Sequence, residues 1–167
     1  GTHGRYGQRA VDLVVDLLGE DMFQSERGYG WFVGWYQYIE HRNSNSADLE
    51  WVWSYYYDIV DNANIILANI DNSSDAALKT AEVQFIKANA LAYRAFSFYQ
   101  LVQLYAQRFD IGGANSHPGI PLYTEPTQDG KARSTVAEVY TQINKDLDDA
   151  IELFTTSTFN RANVSEL

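Results

Sequence analysis

The sequence predicts an all-α fold of antiparallel helix pairs, tetratricopeptide-like in type and joined by long irregular loops. Three observations carry that expectation. Apolar residues recur at steps of three and four from Leu49 to Ile70, from Ala81 to Val102 and from Val136 to Phe154, the spacing that lines one face of a helix. Ala81, Ala88, Ala92 and Ala95 place small side chains along one such seam, where a neighbouring helix can approach closely. No segment shows the two-residue alternation of a half-buried strand. A repeat of about 34 residues is absent, so the tetratricopeptide-like class rests on helix length and small-residue seams.

Taken in order, the first helix is expected from about Gln8 to Leu18, with Ala10, Val11, Val14, Val15 and Leu18 on one face and Gly19 stopping it. From Glu20 to Asn45 no period survives, and a long loop with one short helical turn is expected. Ser46, followed by Asp48 and Glu50, is an N-cap with acids at the positive end of a helix dipole. That helix carries Leu49, Val52, Trp53, Tyr56, Ile59 and Val60, then Ala63, Ile66, Leu67 and Ile70, on one face. The DNSSD cluster at Asp71 to Asp75 breaks it.

The next helix is expected from about Asp75 to Ala106. Its seam is Ala81, Phe85, Ala88, Ala92, Ala95, Tyr99 and Val102, and Leu91, Phe98, Leu101 and Tyr105 form a second apolar strip. A helix apolar on two faces is sandwiched between others. All three prolines fall between Gln107 and Arg133, in a connection too long for a simple turn. Thr135 to Glu138 has capping-box spacing, and Val136, Val139, Tyr140, Ile143, Leu147, Ala150, Ile151 and Phe154 give the last amphipathic helix. A polar tail is expected from Thr155 to Leu167.

The 167 residues fit one domain, and 46% apolar content suffices for a sizeable core. A formal charge of -10 repels nucleic-acid phosphates and anionic lipid surfaces. With no cysteine, disulfides, thiolate metal sites and cysteine nucleophiles are excluded from this stretch. No run approaches the roughly 18 apolar residues of a membrane span, and the segment GTHGRYGQRA lacks a signal-peptide core. Asp146, Asp148, Asp149 and Glu152 crowd one helix, with Lys145 as a partial offset, and read as a solvated acidic face.

A ligand that has apolar faces as well as hydroxyl groups is suited by aromatic platforms combined with hydrogen-bonding side chains. The region from Tyr29 to Asn45 has both: Trp31, Trp35, Tyr36 and Tyr38 could stack, and His41, Arg42, Asn43 and Asn45 could hydrogen-bond. The alternative is that these aromatics pack beneath the loop or against further parts of the protein. Trp53, Tyr56 and Ile59 read as core. Arg94, in an apolar stretch, must find a carboxylate or helix-end carbonyls if buried, and reads as structural. Asn64 suggests a hydrogen bond between helices. No catalytic set appears, since His3, His41 and His117 sit in separate loops and neither a metal-ligand spacing, a nucleophile elbow nor a phosphate loop occurs. A binding protein without cofactor or metal is the expectation, not an enzyme.

Three stretches together resemble the SusD/RagB family. WVWSYYYDIVDNANIILANID, Trp51 to Asp71, is similar to a family helix with an aromatic start and a later Ala-Asn pair, here Ala63 and Asn64. AEVQFIKANALAYRAFSFYQLVQLYA, Ala81 to Ala106, is similar to a second family helix through Arg94, Ala95, Phe98, Leu101, Val102 and Tyr105; Ala106 departs from the glycine usual there. PGIPLYTEP followed by RSTVAEVYTQINKDLDDAIELF, Pro118 to Phe154, resembles the family's Gly-Ile-Pro-Leu loop and the helix after it. The order and spacing of the three are what is specific.

The resemblance implies a cell-surface lipoprotein of the outer membrane, anchored by a lipidated cysteine upstream of this stretch. It implies a lid on a SusC-like TonB-dependent transporter, to which glycans or other nutrients are passed. It implies ligand contacts from loops near the start of the Trp51 helix and from a later part of the fold. The tail FNRANVSEL resembles the approach to the family's next helix, so residues 1–167 are expected to be the N-terminal part of a longer helical domain. The rival reading is a soluble helical-repeat scaffold that binds a protein partner and no glycan. A glycoside hydrolase would need a carboxylate pair across a cleft, which the sequence does not display.

Overall fold

Five α-helices account for the regular structure in a computed structural model that describes residues 5–19, 21–26 and 28–157. They are α1 (Gln8–Leu18), α2 (Val33–Tyr36), α3 (Ala47–Asn72), α4 (Ala81–Tyr105) and α5 (Val136–Thr156), with short 3-10 turns at Glu40–Arg42 and Ala76–Lys79. His3, Glu20, Arg27 and the tail from 158 onward lie outside the described residues. Among those described, the nearest approach to a sheet is one antiparallel bridge between Pro118 and Thr135. The chain divides into two compact units, Gly1–Tyr55 and Tyr56–Leu167, with α3 contributing to both.

In the first unit α1 buries Ala10, Val11, Val14 and Leu17. The expected face is therefore rotated: Val15 is exposed and Leu17 takes the inward place, because steps of one, three and three keep Ala10, Val11, Val14 and Leu17 within a single helical arc. Gly19 ends the helix with its N–H on Val15 O. The described residues from Asp21 to Asn45 are irregular as expected, but they include a 3-10 turn besides the helical turn α2. Ser46 caps α3 as expected, its hydroxyl accepting from Asp48 N at 3.2 Å and Leu49 N at 3.3 Å.

The second unit is a three-helix layer with α4 in the middle. Pairings of Tyr56 with Phe96, Asn64 with Arg94 and Asp71 with Lys87 run α3 antiparallel to α4. Pairings of Phe85 with Phe154 and Arg94 with Asp146 run α5 antiparallel to α4. Ala63 and Leu67 of α3, Ala90 and Leu91 of α4 and Ala150 of α5 form a shared core cluster. The small residues let the helices close together, and burying each leucine contributes roughly 1.5–3 kcal/mol.

The start of α4 differs from expectation. Asp75 caps a separate 3-10 turn, and Thr80 caps α4 itself, accepting from Val83 N at 3.4 Å. The seam differs as well. The buried arc holds Ala88, Leu91, Ala95, Phe98 and Val102 flanked by Ala90, Arg94, Ser97 and Leu101, while Tyr99 is exposed. Since α4 is apolar nearly all round, its own periodicity cannot say which arc meets α3 and α5. The outward arc carries Ile86, Tyr93, Phe96 and Tyr99, continued on α5 by Leu147, Ile151 and Phe154, all exposed. On α3, too, Trp53 and Ile59 are half-buried and Ile66 is exposed, and the deepest residues are Val52, Tyr56, Val60 and Asn64.

The long connection after α4 is held by specific bonds. Gly119 N donates to Ser134 O at 2.6 Å and Ser134 N to Ile120 O at 3.0 Å, which buries Ile120 completely. The Tyr57 hydroxyl donates to Pro121 O at 2.8 Å, and its ring meets Tyr123 edge-on. Burial lifts the Tyr57 phenol well above the ordinary tyrosine range, Tyr123 adds to that, and Arg133 opposes it. The capping box of α5 forms as expected, and the helix runs on through Thr155 and Thr156, two residues into the stretch expected to be tail.

Candidate functional site

The aromatic region of the first unit is shaped by its backbone. Gly28 and Gly30 adopt φ +48° and +83°, turns that L side chains rarely accept. Between them stands Tyr29, 93% exposed, and its ring stacks on Trp31 at 5.8 Å between centroids and 29° between planes. Trp31 is 45% exposed. Phe32 then takes a left-handed conformation, φ 61°, and opens α2. A bulky residue at positive φ costs free energy that its surroundings must offset.

The single turn of α2 divides the sequence-predicted platform residues. Trp35 turns inward and is only 6% exposed, so it is a core side chain and not a face offered to a ligand. Four residues make just over one helical turn, so neighbours in sequence point to different sides. Tyr36 lines a small cavity of about 240 Å³ with Gln24, Ser25, Glu26, Val33 and Gln37. The Gln24 side chain donates to Trp31 O at 3.4 Å, linking the cavity rim to the stacked pair.

Beyond α2, Tyr38 also has positive φ, 57°, and its hydroxyl donates to Leu18 O at 3.0 Å. That bond ties the phenol to the end of α1, and the ring meets His41 edge-on at 5.4 Å. His41, Arg42, Asn43 and Asn45 are all exposed, and Asn43 Oδ1 accepts from Asn45 N at 3.1 Å. The structure thus brings together Tyr29, Trp31, Tyr36 and the cavity rim, while Tyr38 with His41 forms a second small aromatic group. Tyr29, Gln24 and Gln37 are missed by sequence reasoning, and for Tyr29 the flanking glycines are the available signal.

Of the three residues expected to be structural, Arg94 and Asn64 are buried in the second unit, while Trp53 belongs to the first and is half-buried. Arg94, 6% exposed, spans two contacts to Asp146, Nε to Oδ2 at 2.8 Å and Nη2 to Oδ1 at 2.7 Å. Its Nη1 donates to Asn64 Oδ1 at 2.8 Å and Thr124 O at 3.2 Å. Asn64 Nδ2 in turn donates to Tyr123 O at 2.8 Å, so Asn64 bonds a neighbouring helix, as expected, and the loop besides. Gln142 Nε2 completes Asp146 at 2.8 Å. Asp146 is therefore not part of a solvated acidic face: it is 0% exposed, since a guanidinium buried on α4 requires a carboxylate facing it. Asp148 and Glu152 do face solvent.

No helix among the described residues is long and apolar enough to cross a membrane. Residues 12–164 match a family model described as starch-binding and associating with the outer membrane. Three solved chains are similar, two of them as follows. One, from Bacteroides vulgatus, bears a provisional description as a sugar binding protein; it is 31% identical, with TM-score 0.60, over 71% of this chain and 27% of its own. The other, a SusD superfamily protein from Bacteroides thetaiotaomicron, is 26% identical, with TM-score 0.63, over 72% of this chain and 26% of its own. No curated protein matches. The chain spans about a quarter of the length of these solved structures. Matched by the family model over nearly its whole length, the chain belongs to the SusD-like family.

Proposed function

We propose that this chain is the N-terminal helical part of a cell-surface protein that binds sugars or similar nutrients and hands them to a SusC-like TonB-dependent transporter. The observation that carries the binding reading is the exposed, stacked Tyr29–Trp31 pair beside a cavity rimmed by Gln24, Glu26 and Gln37. The stacked rings, Tyr29 held outward between two glycine turns, expose apolar ring surface to sugar C–H groups, and amide and carboxylate side chains of the neighbouring cavity suit hydroxyls. His41, beside the Tyr38 ring, and the exposed Arg42, Asn43 and Asn45 are further hydrogen-bonding candidates of the same unit. The family description supports the outer-membrane setting. The sugar-binding description of one neighbour supports the ligand class. Lipid anchorage and the transporter partnership rest on the family resemblance. The outward apolar arc of α4 and α5 supports placing this stretch within a longer fold.

All four tryptophans lie between Trp31 and Trp53, so intrinsic fluorescence reads this unit. Titration with a panel of neutral oligosaccharides should quench or shift the emission, and Tyr29→Ala and Trp31→Ala should each weaken binding about fivefold or more, given roughly 1 kcal/mol or more per aromatic contact. Unchanged affinity in both variants removes the pair from the site. The rival scaffold reading draws on the same outward apolar arc, and it predicts no saccharide response at all.

A further inference from the structure

The second unit contains a cleft of about 620 Å³ between α3, α4, α5 and the loop at Thr124–Pro126, within the range of small-molecule sites. None of its lining residues is aromatic. Its floor carries a small apolar patch, Leu67, Leu91 and Leu153, among mostly polar lining side chains, and reaches the buried Arg94–Asn64 junction. Its loop wall is already fixed: the carbonyls of Tyr123 and Thr124 accept from Asn64 and Arg94, and Pro121 O accepts from Tyr57. A wall anchored by buried donors needs little ordering when a ligand arrives.

The charges of the cleft are largely paired. Lys87 is bonded to Asp71, Lys145 to Asp149, and Arg94 to Asp146 beneath the floor. Among the described residues no ion pair engages Glu125 or Glu152, so the surplus is negative. An anion would meet that surplus without a spare cation, whereas hydroxyls can donate to carboxylates and accept from ammonium and amide N–H groups.

We propose that this cleft is a second carbohydrate subsite, which takes a short neutral oligosaccharide and rejects uronic acids and other anionic sugars. The ring C–H faces lie on the leucine floor, and hydroxyls bond Glu125, Glu152, Asn72 and the paired lysines. The assignment rests on the sugar-binding reading above but uses none of the same residues, so the two can fail separately.

The test is hydrogen-exchange mass spectrometry on the whole protein with maltotriose, xylotriose, mannotriose and trigalacturonic acid, run beside tryptophan fluorescence. At least one neutral trisaccharide should protect peptides covering 64–72 and 122–127, and trigalacturonic acid should not. Glu152→Ala, at an exposed position, should weaken that protection roughly tenfold or more in concentration, as loss of a charged acceptor does. Ala68→Phe should abolish it by filling the cleft, while tryptophan quenching stays as in the parent. Protection absent with every neutral sugar, unaltered in both variants, or equal with trigalacturonic acid overturns the proposal. Protection of the cleft without any tryptophan response would leave this subsite standing and remove the Tyr29–Trp31 platform; the converse would remove the cleft alone.

Discussion

Replacing Arg94 by methionine tests the central physical claim about the second unit, that one buried ion pair ties three segments together. The methionine fills much of the arginine stem's volume, so the change isolates the guanidinium. It deletes four hydrogen bonds, two to Asp146 and one each to Asn64 Oδ1 and Thr124 O. Asp146, 0% exposed, would keep only Gln142 as a partner. Breaking a buried pair on one side costs about 3–5 kcal/mol, chiefly through the charge left behind. Against the roughly 5–15 kcal/mol that holds a typical domain, that is a large share of the whole. Urea unfolding followed by circular dichroism should show the midpoint falling with the slope unchanged. The double variant Arg94→Met with Asp146→Leu should be less destabilised than the sum of its singles by about 2 kcal/mol or more, since neither charge remains to be buried alone. A loss below about 1 kcal/mol in Arg94→Met, or strict additivity in the double variant, would refute the reasoning.

Three further outcomes are expected. Tyr57→Phe should cost about 0.5–1.5 kcal/mol at neutral pH through the lost bond to Pro121 O. Because the folded phenol titrates above its unfolded value of 10.0, its stabilisation is fully present below pH 10 and is lost as pH rises beyond. Melts of the parent should therefore fall more steeply above pH 10 than those of Tyr57→Phe, and parallel curves would contradict the assignment. Gly119→Ala should destabilise by about 1–3 kcal/mol, because its Cβ would lie 2.9 Å from Ser134 O and 3.0 Å from Val139 Cγ2. Gly130→Ala, with open space around it, serves as the near-neutral control in the same thermal melts. Thr135→Ala removes the N-cap of α5 and should cost about 1 kcal/mol in denaturant unfolding.

Much of the helical layout is legible in the sequence because capping chemistry is local. Ser46 and the Thr135–Glu138 box mark helix starts that the structure reproduces, and the breaks at Gly19 and Asp71–Asp75 fall where a glycine and a polar cluster stand. Facing is less legible. Along α4 nearly every arc is apolar, so the choice of Leu91 and Phe98 over Tyr99 as core is made by α3 and α5, not by α4. The aromatic loop has no period at all, and Trp31 and Trp35, alike in composition and four residues apart, end on opposite sides of the solvent boundary. What separates them is the left-handed turn at Phe32, a backbone event that no side-chain pattern announces.

Asp146 shows where a pattern is present but easily discounted. Counting acids along α5 groups it with Asp148 and Asp149, yet it lies three residues after Ile143 and four before Ala150, on the buried stripe itself. Arg94 stands in the same relation to Leu91 and Phe98. Two opposite charges, each on an apolar stripe of a different helix, are individually anomalous and jointly consistent, because each supplies the partner that the other's burial demands. The pair also explains why the loop after α4 can be long and still ordered. Arg94 and Asn64 give their remaining donors to the carbonyls of Thr124 and Tyr123, so the bond that joins α4 to α5 simultaneously fixes the wall of the cleft beside it.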